Sequence, residues 1–271
     1  MKLLILCIFV LFSCNPQQGS SNGSVVGANS GSNSGSLNKE SLRQLLLDNP
    51  DIIVDVLDAH PVKILDGFQA AAKKAQRLQQ EKQKAESFDK PVNIAMRPDE
   101  LFRGPKDAPL TLIEYSDFQC GYCSKGFKTV LTLLEKYIGK MRFVYKHLPV
   151  IGQHSRASAE YYEAIRLQDP QKAIKYHDEL YANQAKIRSG GVKYLKEVTA
   201  AVGADVAKAE ADIKAGKVKA RIDQDMAEGR KHGFSGTPGF LLNGIAVKGA
   251  YPVDHFVGII EELKKRGKVK L

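Results

Sequence analysis

The sequence predicts an α/β protein: a domain of order β-α-β, a long helical insert, then β-β-α, preceded by a small all-helical region. Three observations carry this. A strand-like segment from Leu110 to Tyr115 leads through a helix-periodic stretch to a second one, Met141 to Leu148. Helical periodicity then holds almost throughout Gln153 to Arg230. Finally, Gly239 to Leu242 and Ile245 to Lys248 flank Asn243-Gly244, a two-residue hairpin signal, ahead of an amphipathic stretch near Val253 to Arg266.

The 271 residues, 43% hydrophobic and 26% charged, suffice for one large domain or two modest ones, and exclude wholesale disorder, collagen and a multi-span membrane protein. Four cysteines are too few for a small disulfide-stapled scaffold. The net charge is +10, and since residues 37–90 carry nine charges of each sign, the excess belongs to the C-terminal part. Its lysines are scattered singly, as at Lys208, Lys214, Lys217 and Lys219, without an arginine-rich block or an aromatic-basic platform. No nucleic-acid partner is therefore expected, and attraction to an anionic membrane surface is the simpler consequence.

Taken in order, Lys2 and the apolar run Leu3 to Phe12 have the form of a secretory signal, too short to span a bilayer comfortably, so 1–13 is expected to be a signal peptide. Leu11-Phe12-Ser13-Cys14 resembles a bacterial lipobox, which would make Cys14 a lipid anchor; Phe12 departs from the small or aliphatic residue usual there. The rest of 14–36 is almost all Ser, Gly, Asn and Gln, a flexible linker with a mean span of about 26 Å. In the helical region, 37–90, Leu42, Leu45 and Leu46 are followed by a break at Asn49-Pro50 and then by Ile52, Ile53, Val56 and Leu57. Beyond His60-Pro61 a third helix carries Ile64, Phe68, Ala71, Ala75 and Leu78 at alternating spacings, its apolar seam ending at Lys82. So little apolar surface has to pack on something, either copies of itself or the main domain; self-association is the expectation, with intramolecular docking or a loose stalk as the alternatives. An irregular connector, 91–109, leads into the main domain, 110–271, with its helical insertion at about 152–232 and breaks near Asp169-Pro170, Ser189-Gly190-Gly191 and Gly203.

Chemistry centres on Cys120-Gly121-Tyr122-Cys123. A CxxC can cycle between dithiol and disulfide, supply half of a zinc site, or hold a soft metal. A structural zinc site needs two further ligands, and the six histidines form no close pair. The pair instead falls after a strand and at a helix start, where unpaired amides and the helix dipole stabilise a Cys120 thiolate. Cys123, one turn on, can resolve a mixed disulfide. No cofactor and no metal are expected.

The stretch from about Arg103 to Leu263 resembles the DsbA-like thioredoxin-fold disulfide oxidoreductases of the bacterial envelope. The resemblance rests on Gly104 to Pro109 leading into LIEYSDFQCGYC, on HDELYANQ at His177 to Gln184, and on GTPGFLLNG from Gly236. It implies a thioredoxin fold with an inserted helical domain, Cys120 as nucleophile, Cys123 as resolving thiol, and a cis Thr237-Pro238 bond facing them, where Thr237 would pair with an extended client strand. Glu114, six residues before Cys120, stands where such proteins place a buried acid; held in apolar surroundings it would have a raised pKa and relay the proton of Cys123. Gly121, Tyr122, Thr237 and Pro238 would meet the substrate. Lys146 could pair with Glu114, but strand alternation beside His147 leaves its side undecided.

Tyr122 departs from the family, whose strong oxidants carry histidine there; it adds no positive charge, so a less stabilised thiolate and a less oxidising disulfide are expected. LLLDNPDIIVDVL, Leu45 to Leu57, is loosely similar to the oligomerising segments of DsbA-like isomerases such as the ScsC suppressor-of-copper-sensitivity proteins. The expected partners are cysteine-containing exported proteins, a membrane redox partner, the membrane through the anchor, and further copies through 37–90. The function expected is formation or isomerisation of disulfides in the envelope; the alternatives are a copper-handling protein that uses the same thiolates, and a reductant of exported thiols.

Overall fold

The computed structural model describes residues 38–93 and 95–271. The signal segment, Cys14 and the linker lie outside the described residues. The chain divides into two compact units, with the boundary between Gln69 and Ala70.

In the first unit, α1 (Lys39–Asp48) is capped by Asn38, whose side chain accepts from the Ser41 amide at 2.8 Å. α2 (Asp51–Ala59) starts after Pro50, and α3 (Pro61–Asp89) after His60. No residue of α1 or α2 is buried. Leu45, Ile53, Val56 and Phe68 are all exposed.

The second unit is built on a four-stranded sheet of order β2-β1-β3-β4, from β1 (Leu110–Ser116), β2 (Met141–His147), β3 (Gly239–Leu242) and β4 (Ile245–Lys248). β1 runs parallel to β2 and antiparallel to β3, and β3 antiparallel to β4. A strand between two partners and covered on both faces is buried along nearly its whole length, as β1 is, its polar Glu114 and Ser116 included. Leu110, Leu112, Phe143, Tyr145, Phe240 and Leu242 face the core shared with α4 (Gly121–Lys136) and α10 (Val253–Lys265). Ile113, Tyr115, Val144 and Leu241 face the other way, onto Phe234 and Leu148. The insert comprises α5 (Ser155–Gln168), α6 (Pro170–Ala182), α7 (Gln184–Ala201), α8 (Val206–Lys214) and α9 (Lys219–Lys231). In the hairpin Asn243 and Gly244 both take positive φ, 47° and 85°, and Asn243 reaches back to the start of β1: its Oδ1 accepts from the Thr111 amide and its Nδ2 donates to the Pro109 carbonyl.

Packing adds three details. α3 continues past Lys82 to Asp89, because Phe88, an isolated apolar residue among polar ones, is buried in the core beneath Arg266. Among its described residues the connector has no helix or strand, yet it is pinned: Arg103 and Phe143 exchange backbone hydrogen bonds, and Arg97 bonds both Glu100 and Asp225. Lys146 lies on the Tyr115 face and pairs with Glu228 at 2.5 Å, away from Glu114.

Candidate active site

β1 delivers Glu114 and Ser116, the loop after it carries Asp117 to Gln119, and Cys120 is the N-cap of α4. The first amides of a helix lack intrahelical partners, so the Cys120 sulfur sits among donors. Its pKa is drawn down to about 6, chiefly by a hydrogen bond from the Cys123 thiol; burial opposes this, while the Thr237 side chain and the Cys123 and Tyr122 amides add to it. Both cysteines are free thiols and both are buried. Cys123 is pushed far up, first by burial and then by the Cys120 sulfur and Glu114. One thiol is thus poised to ionise near neutral pH and its neighbour is held protonated.

The loop before β3 closes the site. Thr237-Pro238 is cis, and the Thr237 carbonyl accepts from the Cys120 thiol at 3.4 Å. Tyr122 points outward, 66% exposed, with the Lys125 ammonium 5.3 Å from its ring centre. Gly126, one turn after Cys123, lets α4 lie close on the sheet: a β-carbon there would stand 3.1 Å from Phe240, 3.4 Å from Pro238 and 3.6 Å from Glu114 Oε1.

Glu114 is fully buried and turned to the cysteine side. Burial pushes its carboxyl up to about 8; the Ser116 hydroxyl and Arg103 pull it down, and the Cys120 charge pushes it further up. Its Oε1 accepts from Ser116 Oγ at 2.7 Å, whereas Oε2 is buried without a partner among the described residues. Ser116 Oγ also lies 2.8 Å from the Tyr181 hydroxyl. The structure therefore brings Glu114, Cys120, Gly121, Cys123, Thr237 and Pro238 together, with Tyr122 at the rim.

Several supporting residues were not singled out from the sequence. Asp117 is buried: Oδ2 accepts from the Val150 and Ile151 amides and Oδ1 from Ser155 Oγ and the Gln119 amide, which fixes the loop between β2 and α5. Gln184, at the start of α7, donates from Nε2 to the carbonyls of Phe118 and Cys120, 2.8 Å each. His177 packs edge-on against Phe127, and burial lowers its pKa to about 4. His177, Tyr181 and Gln184 all belong to the HDELYANQ segment, which was the available signal; the bond of Gln184 to the Cys120 carbonyl and the packing of His177 on Phe127 and of Tyr181 on Ser116 were not readable from spacing.

The thioredoxin family profile matches residues 96–262. Among curated proteins, the probable disulfide bond formation protein D of Bacillus cereus is 31% identical over 150 residues, covering 52% of this chain and 68% of that protein. The Na(+)/H(+) antiporter NhaA 3 of Salinispora tropica is 30% identical over 152 residues, 56% of this chain; the chain spans about a quarter of the length of such antiporters, 23% in that case. Among the described residues no helix is long and apolar enough to cross a membrane. A thioredoxin-like oxidoreductase from Silicibacter pomeroyi superimposes with a TM-score of 0.54 at 26% identity, over 62% of this chain and 94% of that one. A linker-deletion variant of Proteus mirabilis ScsC shares the fold over 85% of this chain and 98% of that variant, with a TM-score of 0.52 at 17% identity. With a family profile over more than half its length, and a relative in the disulfide bond formation protein D of Bacillus, this chain belongs to the thioredoxin family.

Proposed function

We propose that this chain is a thiol-disulfide oxidoreductase that forms or isomerises disulfides in exported proteins, with Cys120 as nucleophile and Cys123 as resolving thiol. The observation that carries the reading is the asymmetry of the pair: Cys120 near pKa 6 at the helix start, and Cys123 raised beneath it. In the oxidising direction a client thiolate attacks the Cys120 sulfur of the Cys120-Cys123 disulfide. That bond breaks, and its electron pair leaves on Cys123, which takes a proton. A second client thiolate then attacks the client sulfur of the mixed disulfide and releases Cys120 as a thiolate, a good leaving group at its low pKa. The client has lost two electrons, and the protein holds them as a dithiol.

Glu114, at about 8, carries a proton at neutral pH and can pass it to the departing Cys123 sulfur. Thr237 and Pro238 offer backbone to an extended client segment, supported by the 3.4 Å contact of the Thr237 carbonyl with Cys120. Gly121 leaves the approach open, and the exposed Tyr122 ring gives the client an apolar contact. The names of the Bacillus and Silicibacter relatives agree with exchange chemistry. We place the protein in the bacterial envelope, anchored through Cys14 and reset by a membrane redox partner; this placement rests on the sequence of 1–36.

The test is a glutathione redox titration, reading Cys120 and Cys123 by alkylation and mass. A potential near about −120 to −180 mV supports an oxidase or isomerase. A value near about −270 mV means a reductant and overturns the proposal, as does failure of the pair to form a disulfide.

A further inference from the structure

We propose that the groove between α7 and the CxxC loop is a subsite for an acidic client side chain, with Arg188 as the residue that recognises it. The proposal rests on the exchange reading and names the class of client that reading favours.

Gln184 ties the start of α7 to the redox loop through the carbonyl of Cys120 itself. Arg188 stands four residues later, on the same face of the helix and about 6 Å further along its axis. It helps line two depressions of about 270 and about 380 Å³ that share Gln119 and Arg188; Gly121, beside the nucleophile, borders the first and His154 the second. No residue lining either one carries a carboxylate. Arg188 is exposed and, among the described residues, has no ion pair or hydrogen bond. Arg97, Arg103, Arg156, Arg166, Arg221 and Arg266 of the same unit each hold a carboxylate, Arg142 bonds Thr111 and the Lys106 carbonyl, and Arg230, unpaired like Arg188, lies on α9 and lines neither depression.

An unpaired guanidinium presents a planar fork of donors that matches a carboxylate in bidentate fashion. The floor beneath it is already fixed without its help: Gln119 Oε1 accepts from the His154 amide at 2.7 Å, and Asp117 holds the adjoining amides of Val150 and Ile151. A client strand joined at its cysteine to Cys120 advances about 3.3 Å per residue. Asp or Glu about two or three residues from that cysteine therefore falls within reach of Arg188.

The experiment uses the oxidised full chain and peptides with one cysteine, identical except for Glu, Gln or Lys two or three residues from it, and follows mixed-disulfide formation by mass. The Glu peptide is expected to react about three to ten times faster than the Lys peptide at low ionic strength. That ratio should fall toward one at about 0.5 M salt, where the screening length is only about 4 Å. Arg188→Glu should invert the order. Arg230→Glu makes the same change in net charge on α9, whose Gly229 packs on Tyr115 at the opposite face of the sheet, and should keep the wild-type ratio. A ratio of one in the wild type, or the same ratio in Arg188→Glu, overturns the subsite while leaving exchange intact. If dithiothreitol itself cannot reduce the Cys120-Cys123 disulfide, the exchange reading fails and the subsite with it.

Discussion

Two ionisable residues beside one another are driven in opposite directions, and the causes differ. Cys120 is drawn down by donors, so its absorbance at 240 nm should titrate near about 6; a midpoint below about 4 would contradict the expectation drawn from Tyr122. Tyr122→His adds a donor and partial charge next to the sulfur, and should lower that midpoint and make the disulfide more oxidising in a glutathione titration. Glu114 is driven up by burial instead. The folded carboxyl keeps its proton to about pH 8, while an unfolded one loses it near 4.5. Between those values the folded state binds a proton that the unfolded state lacks, so this group's contribution to stability falls as pH rises from about 4.5 to 8. Glu114→Gln removes that slope. The variant should gain on the wild type by the order of 2–5 kcal/mol between pH 4 and pH 9, measured by urea unfolding at both pH values. It should also slow exchange at neutral pH, by about tenfold or more, since the proton donor to Cys123 is gone. An equal stability difference at both pH values would refute the buried, protonated carboxyl.

At the scale of elements, what was readable in the sequence was local. β1, the redox turn, the start of α4 and the β3-β4 hairpin are each declared by neighbouring residues: a short strand-like segment, a CxxC at a helix start, Asn243-Gly244. Their limits in the structure differ from the sequence expectation by about one residue. What was not readable depends on packing between distant segments. Phe88 extends α3 only because a core receives it, and the face chosen by Lys146 is settled by Glu228, 82 residues away. Gln184 is the sharpest case, since its value lies in two carbonyls more than sixty positions earlier. Gln184→Ala leaves both carbonyls without that donor, which costs about 1–3 kcal/mol. It also frees the helix start from the redox loop. The expected outcome is a lower unfolding midpoint in urea together with a changed Cys120 titration. A shift in stability alone, with Cys120 titrating as in the wild type, would make Gln184 a packing residue and no more.

At the scale of the whole molecule, the first unit states a requirement that one copy of it does not meet. α1 and α2 bury nothing, and Leu45, Ile53, Val56 and Phe68 stand exposed, with Ile52, Val54 and Leu57 exposed beside them on α2. Covering one such side chain completely stabilises by about 1.5–3 kcal/mol. Several together rival the cost of association, about 4–15 kcal/mol. Residues 37–271 are therefore expected to sediment as an oligomer at micromolar concentration, and Ile53→Glu with Phe68→Glu, two charges placed on that surface, should yield a monomer. The consequence for chemistry follows from geometry. An isomerase must break a wrong disulfide and hold the client while a second exchange occurs, which several CGYC sites in one assembly favour, whereas a lone site that meets a dithiol tends to oxidise it and let go. The monomeric double variant should keep its glutathione potential and its oxidation of dithiol peptides, and lose recovery of activity from a scrambled disulfide-bonded client. A wild-type chain that sediments as a monomer removes the premise, while an oligomer whose disruption leaves isomerisation unchanged separates assembly from the chemistry.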